Sequence, residues 1–104
     1  MEQYLYLTTR GRTTGRSREI EIWFTERHGR YYVIAEYQTS QWVKNVEAEP
    51  NVRVKVAGKE FSARARILDP KTDEPLRGEI QALSRKKYGW GEGLVAELTA
   101  ESPA

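Results

Sequence analysis

A chain of 104 residues, 38% hydrophobic and 31% charged, is long enough for one domain with a single modest core. Its 17 basic and 15 acidic residues leave a formal net charge of +2, which excludes a general polycation and leaves nucleic-acid binding to local clusters. Without cysteine there is no disulfide, thiolate metal site or thiol nucleophile, and no apolar run comes near the roughly 20 residues of a membrane span.

Residues 1–104 are expected to form a single domain, frayed at 1–3 and 101–104. Met1-Glu2-Gln3-Tyr4 lacks the basic and apolar regions of a secretion signal, which with the absence of cysteine fits a cytoplasmic protein. Tyr4 to Thr9, aromatic and β-branched, reads as a first strand. It runs into Leu7-Thr8-Thr9-Arg10-Gly11-Arg12-Thr13-Thr14-Gly15-Arg16-Ser17-Arg18, with four arginines and two glycines. That is the composition of an anion-binding loop: glycines can turn backbone N–H groups outward, hydroxyls can donate, and guanidinium groups grip phosphate bidentately. The same residues also describe a solvated basic hairpin tip.

From Arg18 to Thr25, Ile20, Ile22 and Phe24 alternate with Glu19, Glu21 and Trp23, the period of a half-buried strand. Trp23, on the outer side, is a candidate for a dimer interface. His28-Gly29-Arg30 turns the chain into Tyr31 to Ala35, a central strand by its unbroken apolar run. His28, the sole histidine, has no co-ligand in reach of a turn, so no metal site is expected. Next comes a short helix capped by Thr39 or Ser40, with Trp42 and Val46 on one face, stopped by Pro50.

Val52, Val54 and Val56, then Phe61, Ala63, Ala65 and Ile67, alternate with polar residues on either side of Gly58, giving an antiparallel hairpin. Its outer face gathers Arg53, Lys55, Arg64 and Arg66, a possible phosphate track, but by this reading no aromatic shares that face to stack bases. A second helix is expected over about 73–87, with Leu76, Ile80 and Leu83 as its buried stripe and Gly89 as its end. Trp90 to Gly93 read as a loop and Leu94 to Leu98 as a short last strand.

Six short antiparallel strands with two helices point to a small, mainly β barrel, since closure removes exposed edges. The Leu7–Arg18 loop, Tyr32-Val33-Ile34-Ala35, Trp42-Val43-Lys44-Asn45 and Glu49-Pro50-Asn51-Val52, in that order and covering about residues 5–67, make the chain resemble the deazaflavin-dependent nitroreductase family. That resemblance implies a split β-barrel of the FMN-binding type, a homodimer, and deazaflavin coenzyme F-420, or less often FMN, passing a hydride to an electron-poor acceptor such as a quinone or nitro compound. It implies that Arg12, Thr14, Gly15 and Arg18 contact the phosphate or acidic tail and that Ala35, Glu36 and Tyr37 line the ring. Trp42 and Asn45 would close the site, and Tyr88 and Trp90 would flank the acceptor, although both also suit the packing that ends a helix. The chain departs from the family in having Thr13 for a usual lysine and a shorter Glu36-to-Ser40 loop without glycine. Two other classes fit the residues: a non-catalytic dimeric barrel that carries a cofactor, and a nucleic-acid-binding module.

Overall fold

The alternating segments become seven antiparallel strands in one curled sheet, in a computed structural model that describes residues 4–11, 15–36 and 40–101. Strands β1 (Tyr4–Arg10), β2 (Ser17–Trp23), β3 (Thr25–Arg27) and β4 (Arg30–Ala35) precede helix α1 (Gln41–Ala48). Strands β5 (Asn51–Val56) and β6 (Lys59–Ile67), helix α2 (Leu76–Tyr88) and strand β7 (Leu94–Ala100) follow. The order across the sheet is β2-β1-β5-β6-β7-β4-β3. Its two edge strands are neighbours in sequence, separated by Phe24 alone, so the sheet must curl until its edges nearly meet. This is a split barrel, as expected, but with seven strands rather than six. The expected continuous strand 18–25 is cut because Phe24 carries the chain from pairing with β1 to pairing with β4.

The barrel interior holds Leu5, Leu7, Phe24, Val33, Val52, Val54, Val56, Ala63, Ala65, Ala96 and Leu98 with Val46 of α1; of these, alternation placed Phe24, Val52, Val54, Val56, Ala63 and Ala65 inside. A second apolar cluster of Tyr32, Ile34, Leu68, Ile80 and Val95 lies between α2 and the outer face of β4 and β7. Those two strands are therefore buried on both sides, which explains the unbroken apolar run of β4 and the apolar run of β7 that only Glu97 interrupts. The last strand, expected at 94–98, extends to Ala100 and pairs with both β4 and β6. Glu101, expected to fray, donates its N–H to the Ser62 carbonyl at 3.0 Å.

Turns follow their residues. His28 (φ 52°) and Gly29 (φ 76°) both adopt the left-handed region that a two-residue hairpin requires, as do Ala57 (φ 51°) and Gly58 (φ 78°). Ser40 stands at the N-cap of α1, but its carbonyl rather than its side chain makes the capping contacts, accepting the N–H of Val43 and Lys44. Thr39, the alternative cap, lies outside the described residues.

Helix α2 begins three residues later than expected. Asp69 and Asp73 stitch the lead-in into a turn, Asp69 N–H donating to Asp73 Oδ2 and Lys71 N–H to Asp69 Oδ1, both at 2.6 Å. Its buried stripe also differs: Ile80 and Ser84 are buried, whereas Leu83 is 37% exposed. Gly89 ends it in the left-handed region, its N–H reaching the Arg85 carbonyl at 2.8 Å. Among the described residues no helix is long and apolar enough to cross a membrane.

Candidate functional site

At one end of the barrel the first hairpin closes on itself. Gly11 N–H donates to the Arg16 carbonyl at 2.7 Å and Gly15 N–H to the Gly11 carbonyl at 2.8 Å, so these two donors serve the turn and are not turned outward as the glycine content suggested. Gly15 has φ 73° with open space where a Cβ would stand, so backbone conformation, not crowding, calls for glycine. Arg10 Nε donates to the Gly15 carbonyl at 3.2 Å, and the same residue lines the adjoining cavity. That cavity, about 460 Å³, is lined by Thr8, Arg10, Gly15, Ser17, Arg53 and Ser62, among others, with Glu101 as its acidic member. Guanidinium groups with Thr and Ser hydroxyls are the donor set for a phosphate or carboxylate.

Arg18 is exposed and lies directly across the ladder from buried Thr9, on the same face of the sheet. Helix α1 packs against β1 and β6 and brings buried Asn45 to that place, its Nδ2 donating to Thr9 Oγ1 at 3.2 Å. Trp42 is half-buried against the barrel core. Ala35 is buried at the end of β4, and Glu36 follows it exposed. A Cβ on Gly93 would collide with the Ala35 carbonyl oxygen, so glycine there lets the chain leading into β7 cross tightly over the end of β4. Arg12, Thr14 and Tyr37, the remaining cofactor candidates, lie outside the described residues, as does Thr13.

Tyr88 and Trp90 are placed elsewhere. Tyr88 stacks on Trp23 with ring centroids 4.6 Å apart and an interplanar angle of 1°. Its hydroxyl donates to the Phe24 carbonyl at 2.7 Å and accepts the Phe24 N–H at 3.2 Å, and Lys87 Nζ donates to the same carbonyl at 3.0 Å. Tyr88 therefore clamps the strand crossover at Phe24, five to six residues along β2 from Arg18, about 16–20 Å at the rise of a strand. Trp23 gives one ring face to Tyr88 and remains 38% exposed. Trp90 packs on the α2 cluster, and its carbonyl accepts the Ser84 hydroxyl at 2.5 Å.

Glu97 went unnoticed in the sequence, although a lone charge within the apolar run Val95-Ala96-Glu97-Leu98 is a signal that it must be paired. It is 5% exposed, accepts the Tyr32 hydroxyl at 2.9 Å, and faces Arg66 at 3.3 Å and Arg30 at 3.6 Å. Burial first, then the Glu97 carboxylate, holds the Tyr32 hydroxyl above its ordinary pKa, so it stays protonated as a donor. Arg66 also binds Asp73 at 2.8 Å, and Arg53 binds Glu60 at 3.0 Å, so half of the basic hairpin face is neutralised from within. That face does hold an aromatic: β1 lies beside β5 with Tyr6 opposite Lys55, and Tyr6 is 38% exposed.

A model of the F420H(2)-dependent quinone reductase family matches residues 1–90. Among solved structures, an F420-H2 dependent reductase superposes with a TM-score of 0.77 at 22% identity, covering 93% of this chain and 94% of that one. HutZ, the heme storage protein from Vibrio cholerae, gives 0.77 at 17% identity over 97% of this chain and 83% of its own. An FAD-binding protein from Mesorhizobium loti gives 0.76 at 12% identity, covering 97% and 83%. No match was found among curated proteins.

Proposed function

Because the chain belongs to the F420H(2)-dependent quinone reductase family, we propose that residues 1–104 act as one domain, a cytoplasmic reductase that uses deazaflavin coenzyme F-420, in preference to FMN, to reduce a small electron-poor acceptor such as a quinone or nitro compound. The observation that carries this reading is the cavity at the Arg/Gly hairpin, whose guanidinium and hydroxyl lining suits the anionic end of that coenzyme. When bound, the deazaflavin supplies the hydride, so the protein need only bind, orient and exclude water.

Arg12, Thr14, Gly15 and Arg18 contact the phosphate or acidic tail, with Arg10 adding its charge from the cavity face of the hairpin. Asn45 positions α1 through Thr9, which keeps Trp42 against the ring and shields it from water. Ala35, Glu36 and Tyr37 form the ring's other wall. The acceptor would meet the ring at this same end. Tyr88 and Trp90 are not assigned to it, since both are engaged in packing at the Phe24 crossover and under α2.

The functional unit is a homodimer. On the outer face, Glu21, Tyr6 and Lys55 form one row across β2, β1 and β5, and Glu19, Thr8 and Arg53 form the next. A two-fold axis lying along β1, between two such faces, sets Glu21 against the partner copy's Lys55, with the tyrosines on the axis. A face with an acidic column on one side and a basic column on the other is thus complementary to itself. The acidic column also repels nucleic acid, against the binding-module reading. Sedimentation should give about twice the 12.0 kDa chain mass. Glu21→Lys should yield monomer, and adding Lys55→Glu should restore the dimer.

Fluorescence titration with F-420 and with FMN tests the activity. One F-420 should bind per chain, and the reduced coenzyme should be reoxidised by a quinone faster with the protein than without it. F-420 binding without faster reoxidation would mark a carrier. Submicromolar binding of a single-stranded oligonucleotide in physiological salt, with neither cofactor bound, would overturn the enzyme reading.

A further inference from the structure

A cavity of about 570 Å³ lies far from the Arg/Gly hairpin. Strand β5 begins with Asn51 at the hairpin cavity and ends with Val56 at this one, five residues on, or about 16 Å at the rise of a strand. Its volume falls within the roughly 300–1,000 Å³ of small-molecule sites. Phe24, Tyr31, Val56 and Leu83 give it apolar walls, and Lys86 and Lys87 stand on one side of them.

Leu83 was expected in the core of α2 and is instead a large apolar side chain, 37% exposed, at the edge of this cavity. The basic residues of the last turn of α2 offset the helix dipole, but that role gives no reason for a leucine beside them. Lys87 is already held, its ammonium 4.2 Å from the Phe24 ring centroid and bonded to the Phe24 carbonyl, whereas Lys86 is exposed. Glu26, the acidic residue of the lining, lies directly across the β3–β4 ladder from Tyr31, whose hydroxyl is held above its ordinary pKa by burial first and then by this carboxylate. Aromatic and aliphatic walls beside an exposed ammonium group describe a site for a flat apolar body with a single negative charge.

We propose that this cavity between α2, β3 and the β5–β6 turn is a second binding site, which takes a small aromatic carboxylate with its ring against Phe24, Tyr31 and Leu83 and its charge toward Lys86. It is independent of the cofactor end, since no residue lines both cavities.

The probe is 2-naphthoate, followed by its own fluorescence with the full chain. One molecule should bind per chain, and 2-naphthol, which lacks the charge, should bind at least about five-fold more weakly. Leu83→Glu, at an exposed position that leaves the core intact, should reduce naphthoate affinity by about ten-fold or more, and Lys86→Glu by about five-fold. Both variants should bind F-420 like the parent. Equal affinity for naphthoate and naphthol, unchanged binding by Leu83→Glu, or competition between naphthoate and F-420 would each overturn the proposal. Failure of F-420 binding alone would leave it standing and count against the reductase reading.

Discussion

At the Phe24 crossover the Tyr88 hydroxyl, the Lys87 ammonium and the Phe24 peptide groups satisfy one another, and nearby Glu97 is closed in by Tyr32, Arg30 and Arg66. At the Arg/Gly hairpin the backbone donors of Gly11 and Gly15 are likewise spent, yet Arg10 lines the adjoining cavity and Arg18 is exposed, with no ion pair among the described residues. Both regions are rich in aromatic or charged residues, so composition treats them alike. What separates them is how much bonding capacity folding leaves over. A polar group already bonded inside the protein contributes to stability, and one left unbonded at a surface hollow is available to a ligand.

The sharpest test of that contrast is Tyr88→Ala. Loss of the Trp23 stack and both bonds to Phe24 should lower stability by about 2–4 kcal/mol, measured by urea unfolding, while F-420 affinity stays within about two-fold. A large fall in affinity with little loss of stability would return Tyr88 to the binding site. Arg18→Ala should do the reverse, weakening F-420 binding by about 1.5–3 kcal/mol, with salt diminishing the parent's affinity, and leaving the unfolding midpoint nearly unchanged. An unaltered affinity would remove Arg18 from the site.

Acid should act on the closed region. A backbone hydrogen bond from Asp69, then Arg66, holds the Asp73 carboxyl below its ordinary 3.8. Its folded pKa being depressed, Asp73 adds stability that is complete above about pH 4–5 and is lost as pH falls through the lower folded value. Asp73→Asn should therefore flatten the acid limb of the stability profile, and an identical limb in both proteins would show that the pair contributes nothing. Tyr32 has the opposite sign: its raised pKa gives stability that is present below about pH 10 and lost as pH rises further.

The smallest effect expected is at Ala57, a non-glycine residue at φ 51° in a two-residue hairpin. Ala57→Asn should raise stability by about 0.5–1 kcal/mol, because asparagine tolerates the left-handed region and suits the turn before Gly58. A decrease would mean that the small side chain is needed where it lines the large cavity.

Period-two alternation made the inner faces of β2, β5 and β6 readable, because burial on one face alone leaves that mark in the chain. The same rule misled at α2, where Leu83 keeps the spacing of the stripe but the helix rolls so that Ser84 takes the buried place. Trp23 and Tyr88 could not be paired from sequence, since 65 residues separate them and either alone is a plausible surface anchor. The anion loop was legible as composition, yet which of its donors remain free depends on hydrogen bonds inside the turn.

The amino-acid order by itself determined the element types, the left-handed turns at His28-Gly29 and before Gly58, the helix stops at Pro50 and Gly89, and the family resemblance. These depend on local sterics and short-range periodicity, which neighbouring residues fix between them. Tertiary structure alone decided that Phe24 divides one strand into two, that Tyr6 shares a face with Lys55, that Glu97 is buried among arginines, and that Leu83 borders a cavity. Each of these depends on which strand lies beside which and on the curl that brings β2 back toward β3, long-range pairings for which no local stretch of sequence carries the instruction.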